Sequence, residues 1–593
     1  MKYSSEKKEW AFAAYAVFAL GVSLSTFYFI LLCYHAGPFR DMWIAMDFIR
    51  SWQDGTAHLS DLFALHGGSH RLAIPRLLFL MEYQWFSGTN SFLIAVSSAI
   101  QISVVVLVWR LVKQEPHMNR HYQWLVVALS LILMLNATQL ENFVYTFDVQ
   151  WFITSAAAVW ALAFWNIAFK AIAGKESLPL MTLAYALTAT LISMFASFSG
   201  LCLWLVLPAL AVVYRVSYKI IFILAVCVIA VVVLYLQGPF ATGGGWSAPE
   251  VVTAGMVCKL LWSLLLLFLQ WIALYFGSPL SRYSFVCGII VSYSSLFFLL
   301  WQWLKRFRSG IADSTSFQMI MLSIALWAAI VGVATGVGRM YFVHTAPEDR
   351  YQSIVLVYWL GLLGFTLSRA LQIEIQQKIS TFKYFALLLI IFWTCLVIPI
   401  ASIKDAYVQI NFFDRVKDAD LAIATGQWDY NEIRETLILG DKTKKINRPE
   451  LHAAFLRDQH WGIFSSPVFA LLGTTIDQTF ISADRCEGAV DTITVVNAPY
   501  QGYRITGHGQ EVQRESLLKL YVAIDETGRI VGLGRLQRQK DSLKPIAWQP
   551  LEAAHWLLYT ENLSDQHTLQ ILGAMDDGGY CVMASAKLPS PHA

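Results

Sequence analysis

Charge is what this sequence has least of: Asp, Glu, Lys and Arg supply only 14% of 593 residues, against 57% hydrophobic residues and a mean hydropathy of +0.52. That excludes a soluble globular enzyme of this size. Paired cysteines are also lacking. Six of the eight (Cys33, Cys202, Cys227, Cys258, Cys287 and Cys395) stand singly in apolar runs and read as packing residues. A cleavage-site pattern is missing at the N-terminus, and the apolar run 10–33 is too long for a signal peptide, so it reads as a first membrane helix. No internal repeat divides the helical part, which argues against the usual transporter architecture.

The charge that is present is unevenly placed. Residues 1–404 hold 25 basic and 16 acidic residues, whereas 405–593 hold 18 and 24. The first part therefore reads as membrane-embedded and the second as an acidic, water-facing domain, which excludes nucleic acid as a partner. Apolar stretches of spanning length recur at 10–33, 91–109, 123–140, 151–169, 179–195, 201–214, 220–236, 284–304, 318–336, 353–367 and 384–401, which makes eleven crossings. With the N-terminus inside, the inner loops hold 16 Lys and Arg and the outer loops seven, so the tail is expected outside. The stretch 251–276 is apolar enough to span, but one more crossing would put Lys305, Arg306 and Arg308 outside; it reads as an interfacial or re-entrant segment.

The expected fold is thus a polytopic α-helical membrane protein of about eleven transmembrane helices with a C-terminal extracytoplasmic α+β domain. The membrane domain is 1–404, with a large first outer loop at 34–90. The tail, 405–593, opens with a helical stretch at 406–424 and a second near 451–456. After Cys486 come short runs rich in Val, Ile, Tyr and Leu, and the turn Asp525-Glu526-Thr527-Gly528 between two of them signals a hairpin, so 486–593 predicts a small β-sandwich. Cys486 and Cys581, alone in a tail expected outside, predict a disulfide.

Chemistry is expected where polar residues gather at the membrane rim. In the first outer loop, Asp41 and Asp47 are six residues apart, too far to form one facing pair on a helix, so one of them is the candidate general base; both also read as solvated loop acids. Further on, His66, His70, Arg71 and Arg76 suit an anionic ligand or lipid headgroups. The glycines between the two histidines argue against helical alignment as metal ligands. Arg339 and Arg350 flank a later outer loop, where guanidinium forks suit phosphate; snorkelling to the interface is the alternative.

These residues together resemble the bacterial polytopic glycosyltransferases of the GT-C class, across most of the membrane part. The resemblance is carried by Arg40-Asp41-Met42-Trp43, the run His70 to Arg76, Glu141-Asn142-Phe143, Phe147-Asp148-Val149-Gln150, Ser197 to Gly200, and Arg339 with Arg350-Tyr351. It departs from that pattern at Ser69, where an acid is expected, and at Asp148, where a glutamine is. The resemblance implies an enzyme of the bacterial inner membrane with its C-terminal domain in the periplasm. It would transfer sugar from a polyprenyl-phosphate donor to a glycan or protein acceptor. Asp41, with Asp47 second, would be the base; His66, His70, Arg71, Glu141, Asp148, Gln150, Arg339, Arg350 and Tyr351 would bind substrate. No metal or other cofactor is required if the arginines carry the leaving-group charge. A lipid-linked glycan flippase, or a glycan polymerase or ligase, is the other reading.

Overall fold

Most of the apolar runs fold into long helices in the computed structural model. It describes residues 2–237, 281–339, 349–376, 398–437, 449–496, 502–537 and 555–589 apart from 67–69, 117, 178–179, 312–313, 484, 513–517, 562 and 564–567, together with 253–255, 257–258 and 261. Most of 238–280, where the interfacial or re-entrant segment is expected, and most of the expected crossing 384–401 lie outside the described residues. Two compact units form. The first comprises Met1–Ile30, Ala57–Phe79 and Leu93–Ala406, the second Leu31–Thr56, Leu80–Phe92 and Tyr407–Ala593. The loop 34–90 is therefore not one piece: its middle belongs with the helices, its two flanks with the C-terminal residues.

Wholly or mostly in the first unit, seven helical stretches among the described residues are long and apolar enough to cross a membrane: Ala13–Cys33, Ser91–Lys113, Arg120–Val144, Thr146–Ala173, Tyr218–Tyr235, Ser316–Thr335 and Gln352–Ala370. Leu180–Ala196 and Phe198–Val213 are apolar but shorter. The helix Val149–Ala173 is buried nearly all round, which is why its sequence carries no polar face. Its few polar side chains are satisfied internally: Asn166 donates to Ser323 Oγ at 3.0 Å and accepts from Tyr214 OH at 3.0 Å. Gly361 lets Gln352–Gln376 close on Ser316–Arg339, since a Cβ there would sit 2.6 Å from the Met321 carbonyl oxygen. A two-strand hairpin, β1 (Leu65–His66) and β2 (His70–Arg71), precedes the helix Ala73–Trp85.

In the second unit, the helix Met42–Gln53 packs on the helix Pro449–Asp458, and strands β3 (Ile481–Ser482), β4 (Cys486–Val496), β5 (Gly502–Glu511), β6 (Leu520–Ile524), β7 (Ile530–Leu536), β8 (His555–Glu561), β9 (Thr568–Ala574) and β10 (Tyr580–Lys587) form one sheet in the order β3-β10-β9-β6-β7-β8-β5-β4. Every pairing is antiparallel except the short β3 with β10. The turn 525–528 joins β6 to β7; Asp525 Oδ1 accepts from the backbone of Thr527 and Arg529, and Gly528 supplies the φ of +81°.

The two-sheet sandwich expected from the strand pattern is corrected here. All eight strands are hydrogen-bonded into a single sheet, which curls so that Tyr503, Tyr521, Trp556, Leu558 and Ile571 share an interior with Cys581 and Met583 of β10 and with Cys486 and Val490 of β4. The curl covers one face of the sheet with its own end strands, and the other face is covered by the segment before it: Arg535 and Tyr559, on that face, reach Asp414, Asp418 and Asp429. Cys486 and Cys581 are disulfide-bonded across the seam between β4 and β10, 95 residues apart, and closing a loop of that length is worth roughly 4 kcal/mol. Met583 packs on bare backbone at the same seam; a Cβ on Gly488 would meet its Cε at 2.9 Å.

Candidate functional site

In the first unit the hairpin carries the two histidines to the start of the helix Val149–Ala173. His66 lies against the Phe147 ring (centroids 5.1 Å apart) and His70 edge-on to Trp151 (6.2 Å). His70 Nδ1 is 3.5 Å from Ser197 Oγ and 3.4 Å from the backbone N of Phe198, so the Ser197 to Gly200 motif holds this ring. Gly200 is required there because a Cβ would run into the Ser193 carbonyl. Trp151 then meets Tyr351 in a T-shaped contact at 5.0 Å. Arg350 sits in the one-turn 3-10 helix Asp349–Tyr351, and its carbonyl accepts from Asn142 Nδ2 at 3.1 Å. The next residue, Gln352, donates to Thr138 Oγ1 at 3.0 Å.

The structure thus brings His66, His70, Trp151, Tyr351 and the Asn142–Arg350 link into one continuous cluster. Asp148, Gln150 and Glu141 belong to the same stretch: Asp148 is fully buried, Gln150 buried, Glu141 half-buried. The 139–150 segment folds this way because Tyr145 breaks the helix, leaving the turns Leu140–Val144 and Thr146–Asp148 ahead of Val149. Arg339 ends the helix Ser316–Arg339, and its side chain lies outside the described residues.

Arg71 and Arg76 are engaged by backbone. Arg71, 2% exposed, donates from Nε to the Tyr235 carbonyl at 2.8 Å and from Nη1 to that of Phe63 at 2.7 Å, while its amide N–H reaches Tyr235 OH at 3.0 Å. Arg76 Nη1 gathers the carbonyls of Asp61, Leu62 and Ala64 at 2.6 to 2.9 Å, and burial lowers its pKa to about 10, which still leaves it charged at neutral pH. Both guanidinium groups shape the loop that presents the histidines.

Burial, reinforced by the Arg76 cation, lowers His66 from 6.5 to about 4. Between those two values the unfolded chain binds a proton that the folded chain does not. The stabilising contribution is complete above pH 6.5 and is lost as pH falls toward 4, by at most about 3 kcal/mol. Thermal melts of wild type and His66→Gln across pH 7 to 4.5 should show wild type losing ground to the variant. Parallel curves would remove the neutral imidazole from the site.

The two aspartates belong to the second unit. Asp41 stands at the N-terminal edge of Met42–Gln53, half-buried, its carbonyl accepting from the amides of Ile44 and Ala45. Arg40 before it has a φ of +47° and lies over the rings of Phe39 and Phe412. Asp47 is on the outer side of the same helix, 69% exposed, with Oδ1 3.2 Å from Nε2 of the buried His452. His452 is a partner that sequence reasoning missed, and a lone histidine 405 residues away in an amphipathic segment carries no signal for it.

Among the described residues no three His, Cys, Asp or Glu side chains gather as a metal site. No protein-family model, characterised protein or solved structure matches the chain.

Proposed function

We propose that the protein is a membrane glycosyltransferase of the GT-C type, which transfers a sugar from a polyprenyl-phosphate donor to a glycan or protein acceptor. The observation that carries this reading is the cluster in which neutral, half-buried His66, His70 in contact with Trp151, and Tyr351 beside Arg350 meet where apolar helices begin. Aromatic faces suit a sugar ring, and the guanidinium of Arg350, whose backbone joins the cluster, would suit the phosphate next to it. The acceptor hydroxyl attacks the anomeric carbon, its proton passes to an aspartate, Asp41 first and Asp47 second, and the phosphate leaves with the bonding electron pair. Arg350, with Arg339, compensates the leaving-group charge. Arg71 fixes the strand that carries His70. Eleven crossings, an outward-facing C-terminal domain and a place in the bacterial inner membrane complete the proposal, on the strength of the 16-to-seven cation bias.

Purified full-length protein given a polyprenyl-phosphate sugar and an acceptor should release free polyprenyl phosphate. A flippase would move the lipid and leave the sugar–phosphate bond intact, and a polymerase or ligase would require a lipid-linked chain in place of a single sugar. Either result would overturn the reading.

A further inference from the structure

The helix Val149–Ala173 begins at the cluster just described, and Lys170 lies 19 residues past Trp151, about 29 Å along the axis, close to the thickness of a bilayer's hydrocarbon. At that far end is a cavity of about 540 Å³, within the usual range for ligand sites. Lys170, Ser314, Thr315 and Ser316 are among its polar lining residues, and Leu111, Ile167 and Phe317 among its apolar ones. Lys170 is exposed; its Nζ donates to the neutral Ser316 hydroxyl at 3.0 Å, and among the described residues it has no carboxylate within ion-pair distance. The acid in the wall, Glu115, is 4% exposed and already partnered. Ser316 opens a 24-residue helix, so the hydroxyls stand at its positive end. Arg215 adds a cation nearby, donating to the Arg308 carbonyl at 3.3 Å in the turn that leads to Ile311 of the cavity wall.

We infer that this cavity binds the phosphate headgroup of an anionic glycerophospholipid, independently of any sugar transfer. Free phosphate would meet the same cation and hydroxyls. The lipid is favoured because Ile167, three residues before Lys170 and so on the same helix face, is 39% exposed at the cavity and offers an apolar track for an acyl chain. Basic pockets between membrane helices have this form.

The test is native mass spectrometry of the full chain released from mixed vesicles of phosphatidylglycerol and phosphatidylcholine. Wild type should retain phosphatidylglycerol in preference. Lys170→Gln, at an exposed position, should cut that preference about fivefold. Lys175→Gln, on the same helix end but outside the cavity wall, should keep it. No preference in wild type overturns the inference, as does an equal loss in both variants, which would mean only general surface charge. Millimolar inorganic phosphate should leave lipid retention unchanged; if it binds and expels the lipid, the ligand is free phosphate and the lipid assignment falls.

Discussion

Asp41→Asn should lower sugar transfer about 10²- to 10⁴-fold while donor binding stays near wild type, because a base that accepts its proton only in the transition state adds nothing to ground-state affinity. The local structure makes this a clean test. The Asp41 side chain makes no capping hydrogen bond, so Met42–Gln53 should keep its start in the variant, which should melt with wild type. Asp47→Asn is the matched control. Its amide oxygen can still accept from His452 Nε2, and turnover should stay within about threefold of wild type, since an exposed acid held by a buried histidine is already supported structurally. Reversal of the two results would move the base to Asp47 and make His452 the group that orients it. Normal turnover in both would remove the base from this helix, and the transporter reading would gain.

Arg535→Met should be among the most damaging changes in the second unit. Its guanidinium, on β7, is held by Asp418 Oδ1 at 2.6 to 2.8 Å, Asp414 Oδ1 at 3.1 Å and the Asp414 carbonyl at 2.7 Å, and Gln537 Nε2 adds a 3.1 Å bond to Asp418 Oδ2. Asp418 is 4% exposed, and burial raises its pKa despite the arginine. Removing the cation leaves two carboxylates with little water, a loss of about 3 to 5 kcal/mol. For a unit of this size that is a drop of roughly 10 °C or more in its unfolding transition. The deficit should shrink as pH is lowered, because Asp418 can then protonate and shed the uncompensated charge. A melting temperature within a degree or two of wild type would show that the network contributes no net stability.

How much of this was legible follows from the range of the interactions. Apolar runs and turn chemistry are local, so long helices, the hairpin at 525–528 and the isolation of Cys486 and Cys581 can be read along the chain. The single sheet could not be: β6 to β8 are buried on both faces, a pattern that a second sheet or a covering helix explains equally well, and the deciding partners, Asp414 and Asp418, lie more than 100 residues before Arg535. The motif around His70 was visible as a set of polar residues, but their division of labour was not. That Arg71 and Arg76 grip carbonyls depends on where Phe63, Tyr235 and the 61–64 turn arrive in space. The division of 34–90 between two units is likewise invisible locally, because Ser87 and Glu82 look like any loop and helix residues until Gly462 donates to the Ser87 carbonyl at 2.7 Å and Asn90 to Glu82.

The second unit is built from Leu31–Thr56, Leu80–Phe92 and Tyr407–Ala593, and a ribosome makes these pieces far apart in time. Once residue 92 has been polymerised, 407 is still more than 300 residues away, roughly 15 to 60 seconds at ordinary elongation rates. Throughout that interval the helix Met42–Gln53, whose Trp43, Met46 and Ile49 are buried in the finished protein, lacks the helix Pro449–Asp458 that packs on it. The early helix therefore stays without its C-terminal packing partners until the chain's last third emerges, and translation arrested before Tyr407 should leave it open to protease.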